Sequence, residues 1–348
     1  MKAAVLHGPG QISADDVPDP GIAAATDAIV KITACCVCGS DLWPYRGVTQ
    51  RRGRIGHEFI GVVQEIGAEV RTVRPGDVVI APFVYSCGSC PNCRAGWTTS
   101  CLVGGDYGFP DRDGVLVDGG QGEYARVPLA DGTLVAARVP ADDDSIPALL
   151  TLSDVMGTGH HAAVSAGVRP GGTVVVIGDG AVGLCAVLAS ARLGADRIIV
   201  LSTHPDRALV AETFGATDIV AARGDEAVAA VQELTGGVGA DGACECVGTG
   251  SSWATAIGTV RPGGTVGYVG VPNAVQDGLP LRDMFDRNVN VRGGVAPTRR
   301  YLPVLLDEVL AGALDPSPVF TWSIPLADIA KGYAAMDSRA QIKVLVRP

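Results

Sequence analysis

Residues 171–194, GGTVVVIGDGAVGLCAVLASARLG, limit the possible fold more than any other stretch. An apolar, β-branched run, Thr173–Ile177, enters Gly178-Asp179-Gly180-Ala181-Val182-Gly183, and a helix-compatible apolar run leaves it. A G-x-G-x-x-G carries meaning only between a strand and a helix, and both patterns are present. The first glycine allows a tight turn, the second lets a pyrophosphate approach the backbone, and the third lets helix pack close on strand. The helix N-terminus offers unpaired N–H groups and a positive dipole end to phosphate. A lone glycine triplet can be a mere turn. Here Gly171-Gly172 precede the strand, and a second strand, Arg197–Leu201, follows the helix. Gly178, Gly180, Ala181, Val182 and Gly183 are therefore the expected dinucleotide contacts.

At 348 residues the chain is long enough for two domains, each with its own core. Its 47 glycines and 5% aromatic residues suit an α/β protein with many tight turns. A formal net charge of −10 argues against nucleic acid or an anionic membrane as partner, and favours a small-molecule substrate. The first six residues, MKAAVL, read as a strand and lack the apolar core of a signal peptide. No run reaches 18 apolar residues, so the expected location is the cytoplasm. There, ten cysteines are expected as thiols and metal ligands rather than disulfides.

Residues 1 to about 150 hold short β-like runs at 28–32, 59–66, 78–83 and 124–128, broken by turn signals such as Arg74-Pro75-Gly76-Asp77. From about 155, strand patterns at 173–177, 197–201, 218–220, 242–246, 265–269 and 289–292 alternate with helical ones. Such alternation predicts a parallel, doubly wound sheet. The last fifty residues return to a helix at 300–311 and a strand at 342–346, and are expected to rejoin the first domain. The acidic run 141–144 reads as a solvated loop or helix start.

Cys87, Cys90, Cys93 and Cys101 are separated by two, two and seven residues. Four thiolates at such spacing can wrap one tetrahedral ion with no open position, which describes a structural zinc site. Disulfides or an iron–sulfur cluster are the alternatives.

Three further segments carry candidate ligands: Cys38 in CCVCGSD, His57 in GHEFIGVV and Asp154 in LSDVMGTG. Composition alone does not link them. Taken in order with the four-cysteine lobe and the glycine loop, they make the chain resemble the zinc-dependent alcohol dehydrogenases of the medium-chain dehydrogenase/reductase superfamily. The resemblance spans essentially the whole chain. It implies a GroES-like, mostly β catalytic domain at 1–155 with 296–348, and a Rossmann cofactor domain at 156–295. It also implies a homodimer or homotetramer, with dimers pairing the edge strands of their cofactor domains.

By the same resemblance, Cys38, His57 and Asp154 ligate a catalytic zinc, making two zinc ions per chain. Asp stands where the family often has Cys. A thiolate and a carboxylate neutralise the ion, and three protein ligands leave one position open. Glu58 is carried over as a neighbour that approaches the metal during ligand exchange, and Asp41 as an acceptor that orients the His57 ring. Ser40 matches the hydroxyl that passes the substrate proton. The family's next relay residue is commonly His, but here it is Trp43, which is assigned to the substrate pocket with Phe83. Thr158, Val269, Gly270, Val271, Gly293 and Gly294 match positions near the nicotinamide. Lys343 matches a basic residue that reaches the pyrophosphate. Cys35, Cys36, Cys185, Cys244 and Cys246 read as core thiols. His160 and His161 read as helix-surface or core residues.

Sites for NAD place Asp or Glu after the second strand to hold the ribose 2′-hydroxyl. The matching residue here is Ser202. Thr203, His204 and Arg207 can serve a 2′-phosphate, which predicts NADP over NAD. Asp206 turning to the ribose, or Ser202 and Thr203 capping the next helix, would favour the other outcome. The expected reaction is hydride transfer between an alcohol, aldehyde or ketone and the nicotinamide. A zinc-free quinone or enoyl reductase, or a non-catalytic dinucleotide- or metal-binding protein, are the alternatives.

Overall fold

The computed structural model describes residues 1–272 and 278–348. The chain forms two compact units, Met1–Asp154 with Pro297–Pro348, and Val155–Ala296.

The first unit is built on the strand Ala28–Cys36. It pairs antiparallel with Phe59–Ile66, Tyr124–Val127 and Lys343–Arg347, inside a seven-stranded sheet. Lys343–Arg347 pairs in turn, parallel, with Phe320–Pro325. The C-terminal segment therefore belongs to the first unit. Its core includes Val30, Ile32, Phe59, Val79, Tyr333, Val344 and Val346. Alternate residues of a strand share a face, so Ala28, Val30 and Ile32 bury one side of the sheet in a single cluster. The central strand runs to Cys36, beyond the expected 28–32, because Ala34 to Cys36 find partners on both flanks. The acidic run stays in a turn, where Asp143 accepts from Ser145 just before the helix Ile146–Thr151.

The second unit carries six parallel strands. Their spatial order is Asp218–Val220, Arg197–Leu201, Thr173–Ile177, Ala240–Glu245, Val260–Tyr268 and Asn290–Gly293. This is the doubly wound arrangement, with its switch point beside the first of these strands in sequence, Thr173–Ile177. Val260–Tyr268 begins earlier than the expected 265–269, and a register break in the paired strand absorbs the difference. Among the described residues, no helix is long and apolar enough to cross a membrane.

The glycine loop shows a separate physical need at each position. Gly178 has φ +109°, a conformation that side chains disfavour. A Cβ on Gly180 would meet nothing within 4 Å, leaving the backbone approachable. A Cβ on Gly183 would stand 1.8 Å from the Gly178 carbonyl oxygen. Gly183→Ala should therefore cost about 1–3 kcal/mol through overpacking of the turn. A lower urea midpoint, with loss of dinucleotide binding, is the expected result.

Candidate functional site

Strand register assembles the first site. Cys35 lies opposite Phe59, and Leu345 lies opposite Cys36, so residues 36–38, 57–58 and 343 meet at the end of one sheet. Ligand atoms of Cys38, His57, Glu58 and Asp154 all lie within 4.8 Å of one another. Cys38 Sγ is 3.8 Å from Asp154 Oδ2, and His57 Nε2 is 3.5 Å from the same oxygen. Thiolate, imidazole and carboxylate at such separations fit one tetrahedral ion bound at about 2.0–2.3 Å.

The surrounding groups orient these ligands. Asp41 Oδ1 lies 3.4 Å from His57 Nδ1, while its Oδ2 accepts from the Cys38 N–H at 3.0 Å and from Gln121 Nε2 at 3.1 Å. Gln121 in turn donates to the Cys36 carbonyl and accepts from the buried Tyr333 hydroxyl at 2.9 Å. A buried chain thus runs from Tyr333 through Gln121 and Asp41 to His57. Burial opposes charge on Asp41, yet His57 and the Cys38 N–H hold its carboxyl below the usual range. Burial likewise opposes an imidazolium at His57, but Asp41, Cys38 and Asp154 hold its pKa well above the ordinary value. Both shifts favour positive charge beside these carboxylates. Ser40 Oγ donates to Cys38 Sγ at 3.3 Å. The Phe83 ring stands edge-on to His57, centroids 6.4 Å apart, and Trp43 is half-buried one turn of chain from Ser40.

Lys343 requires a correction. Its side chain is 1% exposed; Nζ lies 2.6 Å from Glu58 Oε1 and 3.3 Å from the Val37 carbonyl. A buried ammonium committed to those partners does not reach a pyrophosphate. Glu58 is tied on both sides, since Cys36 Sγ donates to its other oxygen at 3.3 Å. Burial works against the lysine's charge, but Cys36 and Glu58 outweigh it and hold its pKa well above normal. Gln121, Tyr333 and the Lys343–Glu58 pair escape a motif reading because each joins segments more than 200 residues or a whole sheet apart.

The four-cysteine lobe closes on itself. The sulfurs of Cys87, Cys90, Cys93 and Cys101 lie within 4.8 Å of one another, with Cys101 to Cys87 at 3.5 Å and Cys90 to Cys101 at 4.0 Å. Tetrahedral Zn–S bonds of about 2.3 Å put sulfurs about 3.8 Å apart, so the donor set fits zinc. Cys35, Cys36, Cys185 and Cys244 are buried thiols, whereas Cys246 is only half-buried. His160 and His161 are both buried on the helix Val155–Ser165, and Thr158 is half-buried there.

In the second unit the glycine loop meets the end of the second strand. Ser202 is 2% exposed, and His204 and Arg207 are half-buried. All three bond Asp179, the residue between the first two glycines. Arg223, the N-cap of the helix Gly224–Leu234, donates to Thr203 Oγ1 at 2.9 Å. His204 is the N-cap of the helix Pro205–Thr213; its side chain makes no cap bond, and its N–H donates to Ser202 Oγ at 3.3 Å. Asp179 and Arg223 were not among the residues expected from the motif. Past the fourth and fifth strands, Gly248 abuts Val271, Glu245 Oε1 accepts from the Val247 and Gly248 N–H groups, and Gly293 abuts Tyr268. The open face at Gly180 and these close glycine approaches fit a dinucleotide.

Two outcomes test this geometry. Lys343→Met should destabilise the protein by about 3–5 kcal/mol, because it strands the buried Glu58 carboxylate. Adding Glu58→Gln should recover part of that loss in denaturant unfolding. In zinc-free protein the N–H groups of Leu102 and Cys93 lower the Cys90 thiol to about 6, while burial and neighbouring thiols raise Cys93 to about 12. Near pH 7, iodoacetamide should therefore modify Cys90 first and Cys93 last, as read by peptide mass mapping.

Residues 24–138 match the alcohol dehydrogenase GroES-like domain, and residues 181–311 match the zinc-binding dehydrogenase family. A probable zinc-binding alcohol dehydrogenase of Mycobacterium tuberculosis is 36% identical over 353 residues, covering 100% of this chain and 89% of its own. The alcohol dehydrogenase TADH from Thermus sp. ATN1 superposes with a TM-score of 0.91 at 32% identity, covering 100% and 99% of the two chains. A putative zinc-binding dehydrogenase from Sinorhizobium meliloti, solved bound to NADP, gives 0.81 at 27% identity, covering 100% and 99%. With the ligand geometry, these likenesses place the chain in the zinc-dependent alcohol dehydrogenase family of the medium-chain dehydrogenase/reductase superfamily.

Proposed function

We propose that this chain is an NADP-preferring alcohol dehydrogenase or carbonyl reductase holding two zinc ions. The observation that carries the reading is the convergence of Cys38, His57 and Asp154 from three distant segments onto one point. A zinc ion held there supplies Lewis acidity toward an alcohol or carbonyl oxygen, and a bound nicotinamide supplies the hydride acceptor or donor.

The chain's own groups do the rest. Cys38 and Asp154 provide anionic ligands, and Asp41 keeps the His57 ring turned so that Nε2 faces them. Ser40, within hydrogen-bond reach of Cys38, passes the substrate proton. Trp43, whose indole N–H donates but cannot accept, relays no proton, so the proton leaves through solvent, and Trp43 and Phe83 shape the apolar side of the pocket. Lys343 neutralises Glu58, whose carboxylate stands beside the three ligands.

NADP preference is supported by the missing carboxylate at Ser202, by Arg207 and Arg223 nearby, and by the NADP-bound neighbour. The four-cysteine lobe holds the second, structural zinc. Pairing of two copies through Asn290–Gly293, the last strand in the sheet order, is the assembly this reading expects.

Elemental analysis of protein purified without added metal should give two zinc ions per chain. Cys38→Ala or Asp154→Ala should remove one and lower alcohol-dependent NADP reduction by more than about 100-fold. Full turnover in either variant would instead favour a zinc-free reductase.

A further inference from the structure

The glycine loop carries an acid whose carboxylate turns to the end of the second strand. Asp179 is the residue between the first two glycines, and its side chain is 15% exposed. Its Oδ2 accepts from Ser202 Oγ at 2.7 Å and lies 2.8 Å from His204 Nδ1. Its Oδ1 is 3.3 Å from an Arg207 guanidinium nitrogen. The carboxylate thus lies at the end of the second strand, the place where NAD sites put their ribose-binding acid. Here it arrives from the loop instead of from the strand.

This arrangement has a consequence for a ribose 2′-phosphate. The donors that such a phosphate would use at this strand end, Ser202, His204 and Arg207, all face Asp179. A phosphate drawn to them would stand beside a fixed negative charge of the same sign. A ribose with a free 2′-hydroxyl carries no charge and meets no such repulsion. Arg223, exposed and bonded to Thr203, lies outside the Asp179 hydrogen-bond set.

We propose that Asp179 is a coenzyme-selectivity residue: it competes with the ribose 2′-phosphate for His204 and Arg207, and so limits the margin by which the chain prefers NADP to NAD. The proposal rests on the dinucleotide reading above, and adds a residue that works against the preference set by Ser202 and the arginines.

The test measures binding of two fragments to the full-length protein by isothermal titration calorimetry, adenosine 2′,5′-bisphosphate and adenosine 5′-monophosphate. Asp179→Asn should tighten the bisphosphate about tenfold and leave the monophosphate unchanged. Asp179→Ala should do the same, which separates loss of charge from any effect of the new amide. Thermal unfolding of both variants establishes that the loop is intact. Unchanged bisphosphate affinity in both variants would overturn the proposal. So would equal weakening of both fragments, which would make Asp179 a ribose acceptor or a loop support. Failure of the NADP reading looks different: the wild-type protein would bind the bisphosphate no more tightly than the monophosphate, yet Asp179→Asn would still tighten it selectively.

Discussion

Cys38, Glu58 and Asp154 are buried with ligand atoms within 4.8 Å of one another, and a carboxylate buried there needs a paired positive charge. The fold supplies one from its own chain. Lys343, on the C-terminal strand, sits at 2.6 Å from Glu58. That contact, together with the pairing of Lys343–Arg347 on Ala28–Cys36, explains why the last fifty residues return to the first unit. The remaining anionic ligands and His57 still favour positive charge at their centre, and a divalent ion fits that need. Metal affinity and the closure of the discontinuous unit are thus two outcomes of one electrostatic constraint.

Orientation comes from a second layer of buried bonds. Asp41 is held from three directions, by the Cys38 N–H, by Gln121 and by His57. Gln121 is itself fixed by Tyr333 from the C-terminal segment. Each member is buried and bonded, so the His57 ring has little freedom to turn. The cofactor unit follows a similar logic with opposite effect. There the carboxylate of Asp179 is the shared partner of Ser202, His204 and Arg207, the donors a 2′-phosphate would use.

Much of this could be read along the chain. The alternation of strand and helix patterns, the glycine spacing and the four-cysteine spacing are local, and local pattern reports local geometry. The loop glycines illustrate this: Gly178, Gly180 and Gly183 differ in what a Cβ would meet, and those differences follow from a turn six residues long. The cysteine lobe is similar, since its four sulfurs come from fifteen consecutive residues. Strand ends were less accessible, because Ala34 to Cys36 become strand only through partners on either side.

The ligand trio Cys38, His57 and Asp154 could be named only by resemblance, since nothing local links positions 116 residues apart. Lys343 shows the limit of that route. Position and charge suggested a phosphate contact, but which partner a lysine takes depends on strand register, and register here delivers it to Glu58. By itself the sequence determined the fold class, the two-domain order and the four-cysteine cluster, because periodicity and spacing encode them. Only the tertiary structure decided which buried charges face one another, because pairing energies depend on distances that sequence separation does not contain.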